Sequence, residues 1–295
     1  MKLRNSASIR ANLFKKSKNE ELIFQQVVTR YLHERLLYRL SLSEYKSRFI
    51  LKGGNLLYAL EGLHVRPTVD IDVLAKHIAN DKESLIRIFN DICNIRYDED
   101  CVHFDSSNII ALDIAEEKKY SGIRLFIKTR FDTMKQSLQV DVGFGDIIIP
   151  APVLITYPTL LHELNPPDIM AYSIETVIAE KFHAMITLGD FNSRMKDFYD
   201  VYLLLKNKEI NNNHLQEAIW QTFKQRGVVF EDNHRLFSQS FRDDPKRQIM
   251  WKAFLRKANV SEDLEFPYVV KSIVEHLQSF YNELSPQLLH HSAAI

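Results

Sequence analysis

Gly53-Gly54, Asp70-Ile71-Asp72 and Asp141 are the residues of this 295-residue chain whose types and spacing could do chemistry. Side chains two apart on a strand leave it on the same face, so Asp70 and Asp72 stand side by side. Adjacent carboxylates repel, which costs stability unless a cation lies between them. Val69, Ile71 and Val73 alternate with the acids and are expected to point into a core. A half-buried strand with two acids on its second face suits Mg²⁺, a hard ion that takes a few carboxylates plus substrate phosphates. Asp141, in LQVDVGF, stands opposite an apolar face of Leu138, Val140 and Val142. If the two strands are neighbours, three carboxylates converge. Three such acids can hold two ions roughly 3.5–4 Å apart, the geometry that clamps the attacking and leaving oxygens of a phosphoryl-type displacement. Gly53-Gly54 falls between a strand and a helix, where glycine permits close backbone approach and free amides at the helix start can receive a phosphate. Lys52 adds positive charge beside them. Singly, a D-x-D is more often an edge or turn feature, and a Gly-Gly is usually a turn. The specific signal is their order: strand, Gly-Gly, helix, D-x-D strand, then a later strand with one acid.

The elements that position these residues follow from periodicity. Residues 20–42 read as a helix with a mostly apolar stripe through Phe24, Val28, Tyr31 and Arg35. RFILKGG reads as a short buried strand ending in the two glycines, and NLLYALEGL as a helix stopped near Gly62. TVDIDVLA is strand-like, residues 81–95 are helical through Leu85, Ile88, Phe89 and Ile92, and GIRLFIKTRF and SLQVDVGFG alternate as two further strands. Pro150, Pro152, Pro158, Pro166 and Pro167 then break the pattern, because proline removes a donor and fixes φ. Helical patterns dominate after them: SIETVIAEKFHAMITLG, MKDFYDVYLLLKN, HLQEAIWQTFKQRG, PKRQIMWKAFLRKAN and FPYVVKSIVEHLQSFYNEL.

Composition narrows the function classes. Lys plus Arg and Asp plus Glu each number 38, so attachment to nucleic acid or membrane by bulk charge alone is excluded, although local basic patches are not. Residues 1–18 carry Lys2, Arg4, Arg10, Lys15, Lys16 and Lys18 with no acid, which reads as a solvated, partly frayed end or as an arm touching a polyanion. Cys93 and Cys101 make no disulfide framework, and neither a signal peptide nor a membrane span is expected, so the expected compartment is the cytoplasm. No P-loop, no G-x-S-x-G elbow and no H-E-x-x-H occurs, and Gly143-Phe-Gly145 fails as a dinucleotide fingerprint because position 148 is Ile.

With these residues in place, the chain resembles the nucleotidyltransferase superfamily of DNA polymerase β type, and more narrowly the AbiEii/AbiGii toxin family of bacterial nucleotidyltransferases. The matching pieces are ERLLYRLSLSEYKSRFILKGGNLL, RPTVDIDVL, LQVDVGFGD, YPTLL, ETVIAEKFHAM and NSRMKDFYDVYLL, from about residue 34 to 205. Pro67 beside Arg66 is a minor departure. The expected fold is α+β. An N-terminal nucleotidyltransferase domain, residues 1–150, has a mixed β-sheet flanked by helices, and a C-terminal helical domain, residues 151–295, completes the NTP and acceptor cleft.

The resemblance implies an Mg²⁺-dependent enzyme with NTP as substrate, the toxin of a type IV toxin–antitoxin or abortive-infection pair whose antitoxin is encoded next door. It transfers a nucleotide to an RNA hydroxyl, the tRNA 3′ end foremost. A small-molecule or protein acceptor, and a nucleotide-binding partner module without turnover, are the alternatives. By the resemblance Asp70, Asp72 and Asp141 ligate the metals, and Asp141 also takes the proton from the attacking hydroxyl. Lys52, Gly53 and Gly54 contact the triphosphate. Arg66 and Thr68 hold phosphate or serve the structure. Lys181 reaches the NTP phosphates or is a solvated helix lysine. Asp197 orients Lys181 or joins Asp200 in a surface ion-pair network, with Lys196, Arg194 or Lys181 as neutralising cations and Lys196 also placed among the nucleotide-binding residues. The basic set Lys246, Arg247, Lys252, Arg256 and Lys257 leans toward RNA.

Overall fold

The computed structural model describes residues 5–114, 122–228, 230–260 and 263–292, the side chains of 285–292 apart. In chain order the elements are α1 (Ser6–Asn19), α2 (Phe24–Leu42), β1 (Phe49–Lys52), α3 (Gly53–Glu61), β2 (Asp70–Ala75), α4 (Lys82–Cys93), β3 (Val102–Phe104), β4 (Ile110–Ile114), β5 (Gly122–Phe131) and β6 (Met134–Phe144). There follow β7 (Val153–Thr156), β8 (Asp168–Ala171), α5 (Ile174–Leu188), α6 (Met195–Asn207), α7 (Asn212–Arg226), α8 (Gln239–Arg242), α9 (Pro245–Ala258) and α10 (Phe266–Ser292). The class is α+β, as expected.

Two compact units emerge. The first comprises Met1–Leu63, Pro67–Asp146 and Val153–Ala171, and the second His64–Arg66, Ile147–Pro152 and Tyr172–Ile295. The first unit carries the whole sheet, in the order β3-β5-β6-β2-β1-β8-β7, with β4 also pairing β5. The sheet is mixed: β1 runs parallel to β8 and β2 parallel to β6, and the other pairings are antiparallel. Strands β7 and β8 arise within the proline-rich stretch. Strand β7 lies at the sheet edge, where a missing donor is tolerated.

One face of the sheet is core. Ile71, Val73, Leu125, Ile127, Leu138, Val140 and Val142 are all buried. Val69 corrects the expectation, for it is 72% exposed and lies just outside β2. Helix α2 shows more than an apolar stripe. Arg30, Glu34, Arg35 and Arg39 are buried together with Tyr31, Leu32 and Leu36. The charges are matched internally: Arg39 grips Asp100, Arg35 pairs with Glu34 at 2.6 Å, and Arg30 donates to the Leu63 carbonyl. Residues 6–19 are likewise no frayed end. Asn5 caps α1, whose Ile9 and Leu13 are buried, and its Arg10 pairs with Asp132 at 3.1 Å. Lys2 and Arg4 lie outside the described residues.

The second unit contains helices α5 to α10. Its aromatic core includes Phe182, Phe198, Phe223, Trp251, Phe266 and Tyr281. Among the described residues no helix is long and apolar enough to cross a membrane. Arg247, part of the basic set read as RNA-facing, is buried and engaged by Asp190 and Asp244, whereas Lys246, Lys252, Arg256 and Lys257 are exposed.

Candidate active site

The parallel pairing of β2 with β6 brings the acids together. Asp72 is the register partner of Asp141, and Asp70 stands one alternation further along the same face beside Gln139. Each of the three offers a carboxylate oxygen within 4.8 Å of the others, and each is half-buried. Among the described residues no other group of His, Cys, Asp or Glu reaches that geometry. Three hard oxygen donors on one partly exposed face are a donor set that fits Mg²⁺.

The turn from β1 into α3 is built against this strand. Lys52 pairs with Asp72 across the antiparallel ladder, so Gly53 follows immediately beside that acid. Gly53 has φ +65°, and a Cβ there would stand 1.9 Å from Asp72 Oδ2. A Cβ on Gly54 would stand 2.6 Å from Thr68 Cβ. The glycines therefore let helix α3 start in contact with the acidic strand, a placement no side chain allows. The side chain of the N-cap Lys52 does not cap α3 and no acid lies within its first turn; the carboxylate beside the helix start is that of Asp72, from the neighbouring strand.

Two neighbours hold Asp70 in place. Thr68 Oγ1 donates to Asp70 Oδ1 at 2.6 Å, and Asn55 Nδ2 donates to the Asp70 carbonyl at 2.7 Å. Asn55 is itself buried, and its Oδ1 accepts from Tyr157 Oη at 3.0 Å and lies 3.3 Å from His33 Nδ1. Burial lowers the His33 imidazole to about 4, although Asn55 and Asp70 oppose the shift. Lys52 Nζ donates to Asp146 Oδ2 at 2.7 Å.

Arg124 supplies the positive charge within the acid face. Its Nε and a terminal nitrogen donate to the two oxygens of Asp141 at 2.8 and 2.7 Å. The hydrogen bonds to Asp141 hold the guanidinium above its ordinary value; burial opposes this, and the charges of Asp141, Asp70 and Asp72 add to it. Gln139 lies 3.3 and 3.4 Å from the same oxygens.

Sequence reasoning missed Arg124, Asn55, Asp146, Gln139 and Tyr157. Arg124 was within reach. Asp132 and Thr133 form a two-residue hairpin turn between β5 and β6, with Asp132 at φ +53° and Phe131 opposite Met134. Counting back from that turn puts Arg124 opposite Asp141. No local signal marks Asn55 or Tyr157.

The remaining candidates sit in the second unit. Lys181 Nζ lies 2.9 Å from Asp197 and 2.7 Å from Asp200. Arg66 meets both oxygens of Asp200 at 2.7 and 2.6 Å, and Arg194 Nε meets Asp197 at 2.7 Å. Of the two alternatives, the surface network is ruled out because Asp197 and Asp200 are 0% exposed. Burial pushes both carboxyls up, but Lys181 with Arg194 or Arg66 overcomes it and leaves them below their ordinary value. Burial likewise lowers Lys181, and the two carboxylates outweigh it and raise the amine. Arg66 is bound two-pronged to Asp200, so the geometry supports its structural alternative. Lys196 projects into solvent from α6.

An acid triad on a mixed sheet, beside a glycine-led helix start, defines a nucleotidyl-transferring class of protein. Residues 35–276 match the sequence profile of the nucleotidyl transferase AbiEii toxin of type IV toxin–antitoxin systems, and the chain belongs to that family. It is accordingly a nucleotidyltransferase, an enzyme that moves a nucleotidyl group from an NTP to an acceptor and releases pyrophosphate. No curated protein matches the sequence. Among solved structures the chain is similar to JHP933 from Helicobacter pylori, at 15% identity and TM-score 0.50, over 92% of this chain and 97% of that one. A second Helicobacter pylori structure aligns at 15% identity and TM-score 0.49, over 90% and 99%. An antigenic nucleotidyltransferase-like protein from Paracoccidioides brasiliensis aligns at 13% and 0.40, over 66% and 88%. At these identities the likeness to JHP933 speaks for a common fold alone.

Proposed function

We propose that this chain transfers a nucleotide from an NTP to an RNA hydroxyl, with the 3′ end of tRNA as acceptor. It does so as the cytoplasmic toxin of a pair whose antitoxin is encoded beside it. The observation that carries the reading is the gathering of Asp70, Asp72 and Asp141 within 4.8 Å next to the Gly53 turn. Family membership supports the NTP and the antitoxin.

Asp70, Asp72 and Asp141 would hold Mg²⁺. That ion supplies charge neutralisation at the phosphates and acidifies the attacking hydroxyl. This chain's own residues do the rest. Thr68 and Asn55 fix Asp70, and Gly53 leaves room for Asp72. Arg124 fixes the plane of Asp141 through two parallel hydrogen bonds. The amides opening α3, with Gly53 and Gly54 at their head, receive phosphate oxygens. Within the second unit, Asp197 and Asp200 orient the Lys181 amine, which the family resemblance assigns to the NTP phosphates. A positive point charge suits a pyrophosphate that becomes more negative as it leaves.

Incubation with each of the four labelled NTPs, Mg²⁺ and total tRNA tests the reading. Label should enter the tRNA fraction with wild type and be lost with Asp70→Asn. Absence of transfer from every NTP, or an Asp70→Asn protein as active as wild type, removes it.

A further inference from the structure

The face of the sheet that bears the triad does not end there. Register partners lay it out in rows across β2, β6, β5 and the β3/β4 edge. The first row is Asp72, Asp141, Arg124 and Leu112, and the second Asp70, Gln139, Phe126 and Ile110. The third is Ser137 and Lys128, and the fourth Lys135, Arg130 and His103. Successive rows are two residues apart, about 7 Å, so the fourth lies about 20 Å from the first. All of these residues belong to the first unit.

The rows change in character along the strands. Acids come first. An apolar patch follows, with Ile110 and Leu112 52% and 51% exposed and Phe126 half-buried between them and β6. The last rows are cationic. Lys128, Arg130 and Lys135 are exposed and, with His103, Asp105 and Ser137, line a cavity of about 440 Å³. Asp105 is occupied at the rim by Ser107 and Asn108. Asp132 at the hairpin tip is taken up by Arg10 and Ser6. Three exposed cations are thus left in the cavity against the single carboxylate of Asp105.

We infer that Lys128, Arg130 and Lys135 bind the backbone phosphates of the acceptor RNA. Its single-stranded 3′ end then runs over Phe126 and Ile110 to the carboxylates. The inference rests on the proposed RNA acceptor and assigns it a surface. Charge complementarity selects the occupant. A polyanion is attracted to the cationic end, while the acid end repels phosphate until cations are bound there. An aromatic flanked by aliphatic side chains between the two is the platform on which unpaired bases stack without sequence preference. A track of about 20 Å accommodates a few extended nucleotides, whereas an NTP is too short to touch both ends.

The test uses the full chain with the combined substitutions Lys128→Ala, Arg130→Ala and Lys135→Ala, and a second protein with Lys128→Arg and Lys135→Arg. Total tRNA and a short single-stranded RNA with a free 3′ hydroxyl are the probes, and Kd is measured across a salt series. Each phosphate contact on a single strand contributes about 0.7 to the slope of log K against log salt. The triple variant should therefore lose about 2 from that slope and bind both RNAs roughly 10- to 100-fold more weakly near physiological salt. Its Tm and NTP affinity should match wild type, and the arginine variant should bind RNA as wild type does. An unchanged RNA affinity and slope in the triple variant overturns the inference while leaving the proposed function intact. Equal losses of NTP and RNA binding overturn it by assigning the cations to the nucleotide. Loss of antitoxin binding with RNA binding retained overturns it by assigning the face to the protein partner. A wild type that binds no RNA overturns both this inference and the RNA acceptor.

Discussion

Gly53→Ala isolates the contact on which the acid site is built. Two costs arise. The backbone sits at φ +65°, a left-handed conformation that costs an L-residue about 1–2 kcal/mol. The new Cβ would also lie 1.9 Å from Asp72 Oδ2, where real Cβ contacts do not fall under 3.0 Å, so the carboxylate must move by more than 1 Å. Turning Asp72 off its rotamer costs a further 0.5–1.5 kcal/mol or so. The sum, about 1.5–3.5 kcal/mol, lowers Tm by roughly 3–14 °C. The catalytic loss is larger than stability alone explains, because a misplacement of about 1 Å costs on the order of 10²-fold in rate. Gly62→Ala is the control. Gly62, at φ +87° and ψ −160°, lies in an extended positive-φ region that only glycine adopts readily, and nothing lies within 4 Å of its would-be Cβ, so it suffers a backbone penalty without touching an acid. Thermal unfolding, Mn²⁺ titration and label transfer to tRNA on both variants read the difference. Gly62→Ala should lose about 1–3 kcal/mol of stability and keep its transfer rate. Gly53→Ala should lose stability, metal affinity and about 10²-fold in kcat/KM. Equal behaviour of the two variants would refute the argument that Gly53 exists to admit Asp72.

Asn55→Ala removes the clamp on the Asp70 carbonyl and strands Tyr157 Oη, so stability should drop by about 1–3 kcal/mol and metal affinity by roughly 10- to 100-fold, read by chemical denaturation and metal titration. Lys181→Met leaves Asp197 and Asp200 enclosed with one cation fewer each, at a cost of about 3–5 kcal/mol; an unchanged denaturation midpoint would contradict that burial. The same cluster sets two ends of the pH profile. The lowered Asp197 and Asp200 stabilise above the ordinary carboxylate range and lose that contribution as pH falls through their folded values, and the raised Lys181 loses its contribution as pH climbs past the ordinary lysine range. Burial, helped by Arg226, lowers His183 to about 4, so the unfolded chain binds its proton first and stability falls as pH drops from about 6.5 to 4. His183→Gln should flatten that fall by up to one proton, about 1.4 kcal/mol per pH unit, in urea titrations at stepped pH; parallel curves for variant and wild type would count against it.

The acid strand, the glycine turn and the later acidic strand were legible because their signals are local. Alternation over Asp70 to Val73 and over Leu138 to Val142 specifies which residues share a face, and adjacent glycines mark where a strand can turn into a helix. The same locality explains the errors. Val69 continues the alternation in sequence, but it precedes the first residue of β2 and stays exposed. Asp197 and Asp200 can pass for surface acids because nothing within MKDFYDVYLL reveals that both are enclosed or that Arg66 arrives at Asp200; the pairing with Lys181 was within reach of the sequence. Helix α2 disguises its burial in the same manner, since Arg39 is sheltered by Asp100 and Glu34 by the Leu160 amide, both remote in the chain.

From the sequence alone came the α+β class, the identity of the three acids and the place of the glycines, all consequences of short-range geometry. Only the tertiary structure decided that β2 runs parallel to β6 with Asp72 beside Asp141, that Arg124 grips the third acid, and that Asn55 secures the first. Those facts depend on which distant backbone groups find one another and in what register. A slip of one residue in that pairing would turn the side chains of one strand to the opposite face and disperse the site.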